Sequence, residues 1–259
     1  MELTSKSDTE VLSQARSDVA GWRGYVLDNY DFAEFQAADI VLDVGCGDGR
    51  VLEELGRKEC RPIGIDVNWE CLTNSRAHKV PLLQSEAEFI PLRGSSVDGV
   101  VCKVVIPYVH EQRALQEIAR VLKPGGLARL CYHGAGYYLR YLLCDRSWKV
   151  RFYGLRTLVN SWCYAFSGRR LPGFMGDTLF QSRRRLTKYY DGNSLKLQQE
   201  YLSPSFLGFP VFIYHSLVKA RLSNDSATTR EGVSRNTKGV VTVIPDKHFE
   251  TCSPLLTRT

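Results

Sequence analysis

Residues 41–49 read Val-Leu-Asp-Val-Gly-Cys-Gly-Asp-Gly, and Ile63-Gly-Ile-Asp66 follows about twenty residues later. An apolar run, a glycine-dense turn and an acid closing the next apolar run form the layout of a nucleoside-binding α/β unit. Gly45 and Gly47 allow positive φ and a close approach of backbone to ligand. Asp66 falls at the carboxyl end of the second strand, where a carboxylate can accept both ribose hydroxyl protons. A dinucleotide fingerprint needs glycine at the sixth position of G-x-G-x-x-G, and that position here is Arg50. The spacing is instead Asp43-x-Gly45-x-Gly47-x-Gly49, which argues against a nicotinamide oxidoreductase.

That spacing resembles motif I of the class I S-adenosylmethionine (SAM) methyltransferases, and three further segments extend the resemblance. Ser85-Glu-Ala-Glu-Phe-Ile-Pro-Leu92 is similar to the acid-Ala segment after the third strand. Ser96-Val-Asp-Gly-Val-Val-Cys102 is similar to the fourth strand with its leading acid. Arg120-Val-Leu-Lys-Pro-Gly-Gly-Leu127 is similar to the turn before the fifth strand in the type 11, ubiquinone-biosynthesis-like branch. The resemblance implies SAM as cofactor and a Rossmann-like, seven-stranded, mostly parallel sheet with an antiparallel last strand and helices on both faces. It implies cofactor contacts from Asp43, Gly45, Cys46, Gly47, Gly49, Asp66, Val67, Glu86, Ala87 and Lys103. Asp43 would lie near the methionine ammonium, Glu86 would accept from the adenine amino group, and the Ala87 N–H would meet the ring. Glu86 replaces the commoner Asp. The segment Lys103-Val-Val-Ile-Pro-Tyr-Val-His110 departs from the small polar residues usual after the fourth strand.

A chain of 259 residues that is 44% apolar holds one substantial core. It has eight cysteines but no C-x-x-C pair, so the thiols read as reduced, no metal site is expected, and the expected location is cytoplasmic. The first thirty residues lack the apolar core of a secretion signal, and no apolar run reaches membrane-spanning length.

Strands are predicted at Ile40–Val44, Pro62–Asp66, Pro81–Gln84, Val97–Lys103 and Leu127–Tyr132. Helices are predicted at Gly49–Arg57, Trp69–Arg76 and Glu111–Leu122, the last stopped by Lys123-Pro-Gly-Gly126. Residues 1–38 read as a helical N-terminal cap and 39–221 as the methyltransferase domain. Residues 222–259 read as a tail largely without fixed structure, with Gly239–Ile244 as a candidate strand or partner motif. Within the domain, 133–190 read as a lid inserted after strand five. Asp177–Tyr190 reads as the helix before strand six, and Lys196–Tyr201 with Phe209–Ala220 as a closing antiparallel hairpin. The insertion is dense in aromatics and carries eleven Lys or Arg against two Asp, a local net charge of +9 where the whole chain has +6.

Methyl transfer from a sulfonium needs an acceptor held in line with the S–CH₃ bond and, for a hydroxyl or amine acceptor, a base. His133 after strand five and His110 after strand four are the candidate bases, because carboxyl strand ends face the crevice of an open α/β sheet. Tyr108 and Tyr132 are weaker candidates, and His215 reads as structural. The expected acceptor is a small or lipid-linked molecule under the lid, with peripheral contact to an anionic membrane surface as a further expectation. An RNA acceptor is less favoured. RNA methylation and a catalytically silent SAM-binding regulator are the alternative functions. The sequence leaves the oligomeric state and acceptor atom open.

Overall fold

The computed structural model describes residues 35–77, 79–203 and 205–221, together with the backbone of 241–243. The expected N-terminal cap, apart from its last four residues, and most of the tail lie outside the described residues.

Among the described residues, nine strands and six α-helices precede the tail strand, β10 Val241–Val243. They are β1 Ile40–Val44, α1 Arg50–Arg57, β2 Arg61–Asp66, α2 Trp69–Thr73, β3 Leu82–Gln84, β4 Val97–Lys103, α3 Glu111–Val121 and β5 Leu122–His133. Then come α4 Ala135–Cys144, α5 Trp148–Ser167, α6 Arg183–Gly192, β6 Leu195–Leu202, β7 Ser205–Phe206, β8 Phe209–Pro210 and β9 Phe212–Lys219. Val41, Leu42 and Val44 of β1 are all buried, as a strand covered on both faces requires. The main sheet runs β10-β6-β9-β5-β4-β1-β2-β3, parallel except for β9, which is antiparallel to both β5 and β6. Seven of these strands make the expected Rossmann-like sheet. The eighth, β10 at Val241–Val243, pairs parallel to β6 and comes from the tail.

One face of the sheet packs Leu42, Val100, Leu130 and Tyr132 against Leu115 and Ile118 of α3 and Leu186 of α6. The other packs Val41 and Val101 against Phe35 and the α1 residues Val51 and Leu55. A polar chain is buried in the first face. Tyr132 and Tyr190 join through their hydroxyls, Tyr190 Oη lies 2.7 Å from His215 Nδ1, and His215 Nε2 lies 3.1 Å from Glu200 Oε1. Arg183 closes it at 3.2 Å from Glu200. The His215 contact holds the Glu200 carboxyl below its ordinary range despite burial. His215 thus ties β9 and β6 to α6.

Several expectations shift at their edges. Strand five begins at Leu122, not Leu127: Leu122 pairs with Val97, and the register slips across Lys123–Gly126 before Leu127 pairs with Gly99. Lys123 Nζ, 2.7 Å from Asp98 Oδ1, pins that bulge to β4. The helix after strand two stops at Thr73. The helix before strand six starts at Arg183 rather than Asp177, because side chains of α5 hold the backbone of 178–180 extended. Asn160 Nδ2 donates to Thr178 O at 2.8 Å, and Ser161 Oγ accepts from Phe180 N at 2.9 Å. A small hairpin, β7–β8, interrupts the closing pair.

Candidate functional site

The crevice at the carboxyl ends of β1, β2 and β4 is built by the glycine turn. Gly45 N and Cys46 N both donate to Ile65 O, at 2.8 and 3.0 Å, so the turn folds back on β2. Gly45, Gly47 and Gly49 all have positive φ, but for different reasons. A Cβ on Gly45 would lie 2.2 Å from Val105 Cγ2, and one on Gly49 2.1 Å from Ser75 Oγ. A Cβ on Gly47 would meet nothing within 4 Å. Gly45 and Gly49 serve packing; Gly47 faces open space.

Asp66 is fixed by the backbone on both oxygens, accepting from Gly47 N at 2.9 Å and from Asn68 N at 2.8 Å. Each oxygen retains a lone pair for a second donor. Asp43 is 1% exposed, and its Oδ2 has no hydrogen-bond partner among the described residues. Burial first, then the charges of Asp66 and Asp48, push its carboxyl up to about 8. A buried carboxylate costs several kcal/mol unless paired, so the position suits a cationic ligand group. Three acids around one turn equally oppose a pyrophosphate. The residues present therefore fit SAM, whose methionine ammonium and sulfonium are cationic.

The Cys46 side chain turns inward against Leu52, Leu72 and Ala77, and burial raises its thiol to about 12, so only its backbone can serve a ligand. Val67 after β2 and Phe89 after β3 are 60% and 70% exposed. They offer apolar surface on the edge where Asp66 pairs with Gln84. Glu86 is exposed and Ala87 buried on the same segment. Lys103 ends β4, in register with Cys131 of β5. Phe89 was not anticipated, although an aromatic three residues after Glu86 was a signal.

The two histidines part company. His110 is exposed and precedes α3; its backbone N–H donates to Glu88 Oε1 at 2.8 Å, and its side chain makes no capping bond. His133 is buried where β5 meets α4. Its ring stacks on Tyr137 at 3.7 Å, lies 5.4 Å from Phe212, and sets Nδ1 3.3 Å from Tyr138 Oη. Around it stands a cluster of phenols that sequence reasoning did not assemble: Tyr108, Tyr137, Tyr138, Tyr141 and Tyr153. Tyr137 and Tyr141 share a 2.6 Å hydrogen bond. Burial raises Tyr137 and Tyr138 well above the ordinary phenol value and Tyr141 to about 12. These phenols hold their protons at neutral pH and act as donors, not bases. Tyr132 is likewise raised by burial and faces α6 through Tyr190.

The insertion is a helical pair. Gly154 of α5 comes so close to α4 that a Cβ would lie 2.7 Å from Tyr138 O. Three of its cations are held in ion pairs: Arg156 with Asp177, Arg183 with Glu200 and Arg185 with Glu111. Buried Glu111 also accepts from Gln181 at 2.7 Å, which binds the extended 178–182 segment to α3.

Residues 42–130 match a family model described as a methyltransferase domain. A murine relative, the tRNA (carboxymethyluridine(34)-5-O)-methyltransferase ALKBH8, is 35% identical over 96 residues, covering 36% of this chain and 14% of that protein. The human mitochondrial ubiquinone biosynthesis O-methyltransferase is 35% identical over 97 residues, 33% of this chain and 26% of that protein. The first curated relatives are matched over about two fifths of their length. A chain from the complex of the Haloferax volcanii Trm112 methyltransferase activator with a methyltransferase superposes with a TM-score of 0.58 at 18% identity, over 85% of this chain and 100% of that one. With the sheet order, the open Gly47 cradle and the buried Asp43 carboxyl, whose Oδ2 has no partner among the described residues, these findings identify residues 42–130 as similar to the methyltransferase domain of class I SAM-dependent enzymes, and the site fits SAM as cofactor.

Proposed function

We propose that the protein transfers a methyl group from SAM to a small or lipid-linked acceptor held beneath α4 and α5. The observation that carries this reading is positional: the helical pair starts two residues after β5, and β5 runs parallel to β4 and β4 to β1, so the pair leaves the sheet at the same carboxyl edge as the glycine turn. When bound, SAM supplies an activated methyl on a sulfonium. The chain's residues then do the rest. Asp43 receives the ammonium, Asp66 the ribose hydroxyls and Glu86 the adenine amino group, while Val67 and Phe89 cover the ring. Gly45, Cys46, Gly49, Ala87 and Lys103 line the same cradle through backbone or strand-end position.

On the acceptor side, His133 is the base. His133 Nδ1 lies 3.3 Å from Tyr138 Oη; in the tautomer whose Nδ1–H donates to that oxygen, Nε2 would carry the lone pair that a base needs. The neighbouring phenols donate to acceptor oxygens and exclude water. A positioned base contributes roughly 10²–10⁴-fold, and that is the loss expected in kcat for His133→Ala.

RNA is the second reading, favoured by the name of the murine relative. Incubation of the protein with methyl-labelled SAM and a metabolite and lipid extract, beside total RNA, separates the two. Label is expected in the organic-soluble small molecules. Label confined to RNA overturns the acceptor assignment and leaves the cofactor assignment standing.

A further inference from the structure

Helix α5 is built inside out. Its buried positions are Val150, Gly154, Thr157, Asn160 and Ser161, mostly small or polar. Its exposed positions carry the large apolar groups: Trp148, Phe152, Leu155, Val159, Trp162 and Phe166. Their spacing is four, three, four, three, four, so they form one stripe along the whole 20-residue helix. Trp148 is 72% exposed, Trp162 65% and Phe166 77%. Phe174, also exposed, extends the stripe with its ring 6.4 Å from Phe152. A contiguous apolar patch of this kind on a folded surface marks a binding face.

The flanking charges select the occupant. Between Trp148 and Ser167 the helix has three cations, Lys149, Arg151 and Arg156, and no acid. Exposed Arg146 and Arg169 stand at its two ends. In heptad terms the stripe occupies the a and d positions, and Lys149, Arg151 and Arg156 fall at e and g. Arg156 is already held by Asp177, so self-pairing would set Lys149 and Arg151 against their copies with no acid on the helix to answer them. Trp and Phe along the apolar edge, with Lys and Arg beside them, are instead the composition that lies in a bilayer interface. No helix among the described residues is long and apolar enough to cross a membrane, so the contact is parallel to the surface.

We infer that the exposed face of α5 docks the protein peripherally on an anionic lipid bilayer, with the Trp148–Phe166 stripe in the interface and Lys149 and Arg151 against the headgroups. The inference concerns the outer face of the helical pair and stands apart from the identity of the methyl acceptor.

Flotation of the full chain with vesicles tests it, without cofactor or acceptor. Neutral phosphatidylcholine vesicles are compared with vesicles containing phosphatidylserine. The protein is expected to float with the anionic vesicles and to shift its tryptophan emission to shorter wavelength. Raising the salt from about 0.1 M to about 1 M, which shortens the Debye length from about 10 Å to about 3 Å, should release much of it. Trp162→Ser should lower partitioning roughly tenfold or more, from the transfer free energy of one large apolar side chain. Lys149→Glu with Arg151→Glu should remove the preference for anionic lipid. These positions are exposed, so an unchanged thermal unfolding midpoint confirms that each variant folds. Failure to float with either vesicle overturns the inference. So does a concentration-dependent dimer, seen by sedimentation, that Trp162→Ser dissociates, because the stripe is then a self-interface. A failed SAM titration would instead strike the proposed function and leave this result untouched.

Discussion

The glycine turn after β1 and helix α5 both put unusual chemistry on the surface, by opposite routes. In the turn, side chains retreat: Val44, Cys46 and Leu52 go inward, and backbone, Asp43 and Asp66 are left at the crevice. In α5 the small and polar side chains retreat, and six large apolar ones are left outside. The turn is shaped for a small polar ligand that bonds backbone and carboxylates. The helix is shaped for an extended apolar surface. Local backbone geometry makes the first, so substitutions there should act on ligand and stability separately, position by position.

The largest effect that tests this is at Gly47. Gly47→Val puts a branched side chain into the only space among the three motif glycines that holds no protein atom within 4 Å. SAM binding by titration calorimetry should vanish, while the fold loses only the backbone strain of a β-branched residue at positive φ, about 1–3 kcal/mol. Gly45→Val should do the reverse in kind: its Cβ meets Val105 at 2.2 Å, so unfolding should respond first. Equal SAM affinity for Gly47→Val and the wild type would show that the cradle is not the cofactor site.

Next in size is the loss of a ribose anchor. Asp66→Ala removes the carboxylate that would receive two hydroxyls, and hydrogen bonds to a charged acceptor contribute about 1.5–3 kcal/mol each. It also frees Gly47 N and Asn68 N, so the turn itself should loosen. SAM affinity should fall by tenfold or more, on the rule of about 1.4 kcal/mol per decade. Undiminished affinity would misplace the end of β2 in the site.

The Asp43 carboxyl supplies a pH test. Its pKa is about 8 in the fold against an ordinary 3.8. Between those values the folded chain keeps a proton that the unfolded chain has lost, so stability from this group falls as pH rises through the window. A cation placed beside Asp43 favours the ionised form, so SAM binding near pH 7 should release a proton. Calorimetry in two buffers of different ionisation enthalpy measures that release. Asp43→Asn should abolish it and flatten the stability profile over the same window. Heats that do not depend on buffer would put the ammonium elsewhere.

The contrast between the two regions also explains what the sequence revealed. The meeting of Gly47 and Asp66 at one crevice, with Asp43 buried beneath it, was legible because these residues lie only a strand and a turn apart. The order of β1 to β5 was legible for the same reason, in alternating apolar runs and breaks. The side on which α5 carries its apolar residues was not. It depends on Gly154 pressing against Tyr138 O and on Asn160 and Ser161 bonding the 178–180 backbone, all tertiary contacts. The basic character of residues 133–190 misled in part for a similar reason. The acids that pair Arg183 and Arg185, Glu200 and Glu111, lie outside that segment. The phenol cluster draws Tyr108 from one loop, Tyr137 and Tyr141 from one helix and Tyr153 from the next, so no window of sequence contained it.

The smallest effects should come from the two strand-end histidines' surroundings, and their inequality is the point. His110→Ala removes an exposed ring with no capping bond, so stability should move by less than about 0.5 kcal/mol and turnover should not change. Tyr138→Phe deletes one hydroxyl, 3.3 Å from His133 Nδ1, inside a buried cluster. It should cost about 0.5–1.5 kcal/mol of stability. Because the phenol orients the imidazole and does not take the proton itself, its loss should appear as a displaced pH–rate profile with little change in KM. A purely structural Tyr138 would lower the unfolding midpoint and leave that profile where it was, and His133 would then lose the partner that makes it a base.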